Sequence, residues 1–438
     1  MHDEQIQQAQ TAVDLAQSAG ADAAWASVSR SRSVDFTVRD GKLEEVKDAT
    51  SRSLSIRLYV DGRYASTQTT DLRPDQVSAF VREVVDMTRA LQPDPFRVLP
   101  DPELYEGRST QDLELADPAI IQLTREDRLE ICHNQNAELI GKDKVVSATS
   151  GCSDGHEVSA AASSNGFVGS QESTWLWLGS EVTVNDGGDK KPEAWMWGGS
   201  PNRSDVPNPQ AIATLALKRA HDRLGTVKGP TALTKMVVDP SATSRLLGRL
   251  LSPATGRGLQ QGRSFWAGKL GVPTVSDILH ITDEPLLKRG LSSRLYDGEG
   301  IAAKSMPLIQ GGALQNFYID TYYGRKLDMA PTTGSASNRV VSPGQRDLAG
   351  IISDMDDGIY VTSWLGGNAD STTGDFSFGL RGHLIQGGQL GGPVGEMNIT
   401  GNLLTLFSKL IEVGNDPWPY SRILCPTLVF DQVQFSGA

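Results

Sequence analysis

His156-Glu157 is the pair in this chain that most invites a reading as chemistry. A His-Glu step on a helix, with a second His one turn later, can hold zinc and present a carboxylate to activate water. The HExxH spacing needs His at 160, and that position is Ala160. The pair also follows Gly155 in a strand-like context, so a solvated His-Glu turn is expected. The other histidines, His2, His133, His221, His280 and His383, are far apart and form no local ligand pair. Gly151-Cys-Ser-Asp-Gly155 has the G-x-S-x-G form, which presents a serine as a nucleophile when a strand precedes it and a helix follows. Here His156-Glu-Val-Ser-Ala160 follows and reads as strand. A hairpin turn is therefore expected, with Ser153 not a nucleophile, and nothing in the sequence marks Cys152 for a lowered pKa. No G-x-x-x-x-G-K-[ST] occurs, and no G-x-G-x-x-G follows a strand. The glycines from Gly387 to Gly395 could hold an anion on backbone amides, but a sheet turn is the default reading. Trp175/Trp177 and Trp195/Trp197 each stand two apart, so each pair shares a strand face. Two such strands joined by a polar turn would gather four tryptophans, as a partner interface, the wall of a peptide cleft, or a buried sheet face.

The elements that must position these residues give an α+β chain. Its 438 residues suffice for two or three domains. Residues 4–19 read as a helix stopped by Gly20. Alternating strands follow through Val38, from Leu43 and from Leu54 to Val60, with hairpins at Asp40-Gly41 and Asp61-Gly62. A helix then runs to about Leu91. This N-terminal helix–antiparallel sheet–helix module is assigned to residues 1–110. Prolines 93, 95, 100 and 102 mark a linker. Residues 111–227 are read as a β-rich middle between helices at about 124–140 and 211–224. Residues 228–438 form a glycine-rich, β-dominated C-terminal domain. In it, Pro240-Ser241 starts a helix to about Leu251, and Gly311-Gly312 and Gly387-Gly388 are hairpins. Gly366 to Asp370 is a loop, Gly391-Gly392-Pro393 breaks the chain before a strand at 394–399, and Leu403 to Val413 is a helix.

Charge and cysteine usage exclude some functions. The formal net charge is −12, with a pI near 5.1. That opposes non-specific contact with a phosphate backbone, so no nucleic-acid partner is expected. Three separated cysteines, Cys132, Cys152 and Cys425, form no disulfide framework or CxxC knuckle, which fits a reducing cytoplasm. The N-terminal residues do not read as a signal peptide, and no run is long and apolar enough for a membrane span.

Three stretches carry a family resemblance. TGDFSFGLRGHLI at 373–385, followed by GGPV and GNLL, resembles the C-terminal half of the TldD/PmbA or "modulator of gyrase" family. DGKLEEV and SIRLYVDGR resemble its N-terminal domain, and RLLGRLLSP with GRSFWAGKLG resembles its PmbA/TldE branch. The resemblance implies a metalloprotease built as a heterodimer. Its TldD-type subunit binds zinc through HExxxH, a spacing that would need His at 161, which is Ala161. The matching helix appears as Ser241–Ser252 and contains neither His nor Glu. Cys425 is not taken as the C-terminal cysteine ligand of that branch. The resemblance therefore implies a non-catalytic subunit with no catalytic, cofactor-binding or metal residue of its own. Zinc is expected on the TldD-like HExxxH partner, and unfolded or modified peptide is the substrate. The alternatives are a homodimeric binding or scaffold protein without protease activity, and a modulator of DNA gyrase.

Overall fold

The computed structural model describes residues 2–437. The first half is one antiparallel sheet of six strands in the order β3-β2-β1-β4-β5-β6. The strands are β1 (Ala23–Arg39), β2 (Lys42–Val60), β3 (Arg63–Thr69), β4 (Val145–Ser163), β5 (Val168–Val184) and β6 (Glu193–Ser200). β1 pairs with β4 over Trp25–Arg39, so the sheet runs without interruption across the residue-110 boundary. Four helices cover one face: α1 (His2–Ser18), α2 (Pro74–Arg89), α4 (Arg125–Ala137) and α5 (Pro209–His221); the single-turn α3 (Pro118–Ile121) precedes α4. Their contact residues are small: Ala9, Ala12 and Ala16 on α1, and Ala213, Ala216 and Ala220 on α5, all fully buried. Small side chains let a helix lie close to a sheet of Val, Leu and Ile. The linker packs on the C-terminal half, where the Tyr322 hydroxyl donates to Asp94 at 2.8 Å and the Arg97 guanidinium lies 3.5 Å from the Tyr322 ring centre.

The second half is built on a closed barrel. β8 (Ala232–Val238), β13 (Asp357–Ala369), β14 (Asp375–Gln386), β15 (Gln389–Asn402) and β18 (Leu428–Ser436) pair in turn, and β18 returns to both β8 and β15. β7 (Val227–Lys228) and β16 (Leu410–Val413) add to its margins. A second sheet holds β9 (Ile281–Asp283), β10 (Met306–Gln310), β11 (Ala313–Leu314), β12 (Arg339–Val341) and β17 (Ile423–Leu424). Short helices pack around both: α6 (Pro240–Leu251), α7 (Gly256–Gln260), α8 (Thr321–Leu327), α9 (Leu348–Ser353) and α10 (Leu403–Ser408). Phe376, Phe378 and Leu380, expected on one strand face, all enter one buried cluster, with the Phe376 and Phe378 rings stacked 4.9 Å apart.

The hairpin signals hold. Asp40-Gly41, Asp61-Gly62, Gly311-Gly312 and Gly387-Gly388 all have both residues at positive φ, the type I′ geometry that matches strand twist. The glycines of the barrel serve backbone approach. A Cβ on Gly382 would sit 2.0 Å from the Tyr360 carbonyl oxygen, and one on Gly367 2.2 Å from that of Ser377.

Four local expectations are corrected. Residues 151–157 are not turns but the middle of β4, a 19-residue strand whose length outlasts its glycines because β1 and β5 pair along both its edges. Residues 366–369 belong to β13, which crosses two left-handed glycines at a register shift. Gly391-Gly392-Pro393 does not end a strand, since β15 passes through it with another shift. The helix expected over 403–413 stops at Ser408; Leu410–Val413 pairs with β18 instead, so tertiary pairing overrides an apolar pattern that also fits a helix.

The buried Phe378 ring should dominate barrel stability. Phe378→Ala is expected to lower the free energy of unfolding by about 3–5 kcal/mol, read from urea denaturation of the purified chain.

Candidate functional site

Sequence reasoning offered two starting points on β4, and strand geometry separates their parts. Neighbouring residues on a strand point to opposite faces, so His156 and Glu157 cannot share a ligand site. The His156 imidazole turns to the helix side and meets Glu172 at 2.7 Å; His2 reaches the same carboxylate at 2.9 Å. Glu157 stands on the other face, in the row of Ser153 and Gly155. Ser153 pairs with Asp35 and Trp177 across neighbouring strands, with no imidazole beside it. The remaining histidines are also in other company. His221 meets the Asp143 carbonyl at 2.9 Å, His280 accepts from Gly311 N–H, His133 is exposed on α4, and His383 lies beside Tyr360. Among the described residues, no three of His, Cys, Asp and Glu converge as metal ligands.

α6 shows why its segment offers zinc nothing. Leu246, Leu247, Leu250 and Leu251 bury its apolar stripe. The open side carries Ser241, Ser244, Arg245, Gly248 and Arg249. A guanidinium has no lone pair to give a metal. Arg245 instead donates to the Gly366 carbonyl and lies 5.5 Å from the Phe378 ring centre. Burial and the neighbouring Arg249 charge hold its pKa below the ordinary arginine value. Cys425 lies against this helix, its carbonyl accepting from Thr243 Oγ1 at 3.3 Å. The zinc chemistry of a metallopeptidase therefore finds no fitting donor set along α6.

What the start of α6 does have is a carboxylate node. Asp239 caps the helix, accepting from Ser241 N–H at 2.9 Å. It also accepts two bonds from Arg219 of α5 at 3.1 and 3.2 Å, and one from the buried Tyr360 hydroxyl of β13. Burial, and then the Asp239 charge, push the Tyr360 phenol pKa well above its ordinary value, so Tyr360 stays a donor. Sequence reasoning placed the cap at Pro240-Ser241 and missed this node; the signal available was Asp-Pro-Ser at a strand end. Next to it, burial lowers the His383 pKa and outweighs the opposing pull of Asp222.

The tryptophans divide: Trp175 and Trp177 are half-buried, and the β6 pair is exposed. Trp195 is 60% and Trp197 45% exposed, on the sheet face that the helices leave open. Trp177 and Trp197 have ring centres 4.8 Å apart.

Models of the PmbA/TldA metallopeptidase match three successive parts of the chain: domain 1 over 26–88, the central domain over 118–224 and the C-terminal domain over 231–437. The chain belongs to the PmbA/TldD family. Among PmbA/TldD proteins, Metalloprotease PmbA of Escherichia coli O157:H7 is 27% identical over 98% of this chain and 95% of its own length. The Metalloprotease TldD homolog of Haemophilus influenzae is 24% identical over 67% of this chain and 65% of its own. A Bacteroides thetaiotaomicron protein described as a modulator of DNA gyrase superposes with TM-score 0.96 at 38% identity, covering 100% of this chain and 99% of its own. TldE from Thermococcus kodakarensis, at 19% identity and TM-score 0.85, covers 98% of this chain and 100% of its own, and shares the fold.

Two measurements follow from these sites. Burial pushes the thiols of Cys132 and Cys425 up to about 12, and that of Cys152 higher. The folded protein should therefore show no reactive thiol toward a disulfide reagent at pH 8, and three once unfolded. The depressed His383 pKa favours the neutral ring in the fold. Its contribution is complete above the unfolded pKa of about 6.5 and declines as pH falls below it, because the unfolded chain takes up a proton first. His383→Gln should flatten that part of the stability profile between pH 7 and 5.

Proposed function

We propose that this chain is the non-catalytic subunit of a TldD/TldE-type heterodimeric zinc metalloprotease acting on unfolded or modified peptides in the cytoplasm. The observation that carries this reading is the composition of α6 within a PmbA/TldD chain: serine, arginine and leucine, with no His or Glu. The near full-length match to Metalloprotease PmbA, against a partial match to TldD homologs, supports it. Zinc would reside on the TldD-like HExxxH partner, and no step of hydrolysis runs through residues of this chain. Its part would be to shape an enclosed cavity, restrict entry and hold an extended substrate. The β14–β15 hairpin is suited to holding: beyond Gly387-Gly388, the outer edge of β15 gains its first strand partner only at Val394, leaving residues 389–393 open for strand addition. Charge substitutions in 386–395 should slow peptide turnover by the complex; unchanged turnover would remove the hairpin from this role.

No observation favours the homodimeric scaffold over this reading. The name modulator of DNA gyrase belongs to relatives, and the net charge of −12 argues against direct DNA contact here.

The deciding experiment is metal analysis with native mass measurement, on the chain alone and co-expressed with an HExxxH homologue. The expected result is no zinc alone and one zinc per 1:1 heterodimer. Stoichiometric zinc on this chain alone would overturn the assignment.

A further inference from the structure

The open face of the six-stranded sheet carries an aromatic platform that the subunit assignment does not use. Trp177 of β5 lies beside Trp197 of β6, with Trp195 next along β6 and Trp175 next along β5, all on the side away from the helices. Three of the four stand directly opposite a glycine: Trp175 opposite Gly155, Trp177 opposite Gly199, and Trp197 opposite Gly179. At Gly155 and Gly199 the missing side chain is where the ring rests. A Cβ on Gly155 would fall 2.0 Å from the Trp175 ring, and one on Gly199 2.4 Å from that of Trp177. The glycines thus let indoles lie down across the neighbouring strand. Trp195 and Trp197 stack at 28° with centres 6.2 Å apart.

Carboxylates rim this platform. Glu181 is the cross-strand neighbour of Trp195, Glu193 stands two residues before it, and Glu157 flanks the Trp175 end opposite Ser173. None of the three is in an ion pair among the described residues. Arg39, a cation of the same face, is held by Glu44 at 2.8 Å, and Arg223 reaches Glu193 only through its main-chain oxygen. Lys190 and Lys191, in the turn before β6, pair with none of them. The opposite end of this face is covered, with Trp25 stacked on Phe167 at 4.8 Å and Tyr296 against the same ring at 5.0 Å. At the tryptophan end Trp195 and Trp197 stay open to solvent.

Indole faces attract cations through the ring quadrupole, and unpaired carboxylates add Coulomb attraction. We propose that this platform binds extended peptide segments bearing arginine or lysine, whose cationic heads stack on Trp195 and Trp197 and are neutralised by Glu181 and Glu193, while Glu157 faces a further cation of the same segment at the Trp175 end. The net charge of −12 favours the same sign of partner. This rests on the peptide-handling reading above and names the substrate class it would select.

The test is calorimetric titration of the isolated chain, without any catalytic partner, so its outcome does not depend on hydrolysis or zinc. Three octapeptides are compared: alternating Arg-Ser, the same with citrulline for each Arg, and the same with Glu. The expected order is Arg strongest, citrulline about tenfold weaker and Glu unbound, with affinity falling as salt rises. Trp195→Ala/Trp197→Ala should weaken the Arg peptide about tenfold, and Glu157→Gln/Glu181→Gln should weaken it and flatten its salt dependence. Equal binding of the Arg and citrulline peptides, or no binding of the Arg peptide, overturns the proposal. Native mass decides against a second copy as occupant: a dimer of the unmodified chain that falls to monomer in Trp195→Ala/Trp197→Ala also overturns it. Failure here leaves zinc stoichiometry in the heterodimer untouched, so the two readings fail separately.

Discussion

The Asp239 carboxylate is the constraint on which the relation between the two halves depends. It sits where a barrel strand becomes α6, and it accepts from three separate elements at once. An ion taken from water needs several good donors in return. Asp239 finds them in a helix end, a guanidinium and a phenol, and each comes from a different part of the chain. Arg219 is carried by α5, whose other side covers the six-stranded sheet, so one buried charge fixes the start of α6 relative to a helix of the first half. A comparable pair works inside the first half: Arg128 of α4 grips Asp154 of β4 at 2.5 and 2.7 Å, both side chains 5% exposed. The apolar clusters supply the bulk of stability, and these ions set orientation.

On that frame, α6 has an unusual division of labour. Its leucines close one side of the barrel core, and its outward Arg245 caps carbonyls of a glycine-bent strand. A helix that must donate to backbone oxygens has no spare acceptor side chains for a metal. The six-stranded sheet divides in the same way. One face is filled by alanine-rich helices; the other keeps small hydroxyl side chains and a strip of tryptophan.

Much of this was legible from local chemistry. Asp40-Gly41, Asp61-Gly62 and the Gly-Gly pairs at 311–312 and 387–388 announce hairpins because Asp-Gly and Gly-Gly readily take two successive left-handed residues. Phe376, Phe378 and Leu380 announce a buried face by period two. What misled was glycine inside long strands. Gly151, Gly155 and Gly366 look like turn residues along the chain, yet at Gly155 the missing side chain makes room for a tryptophan on the next strand. Cross-strand space does not appear in a linear sequence. The same limit hid Asp239, whose partners lie 20 and 121 residues away, and left the exposure of Trp195 and Trp197 undecided.

The way the barrel closes bears on how the chain is made. β18, Leu428–Ser436, is the strand that stands between β8 and β15 and turns an open sheet into a ring. A ribosome delivers β8 roughly 200 residues before it delivers β18, and β13 to β15 in between. Until β18 emerges, β8 has one unpaired edge and the apolar face of Phe378 and Ile399 is missing a wall. The first half has no such dependence, since its six strands and four covering helices are complete by His221. Synthesis should therefore yield a finished N-terminal layer tethered to an unfinished barrel, and that interval is when the nascent protein most needs shielding from other chains.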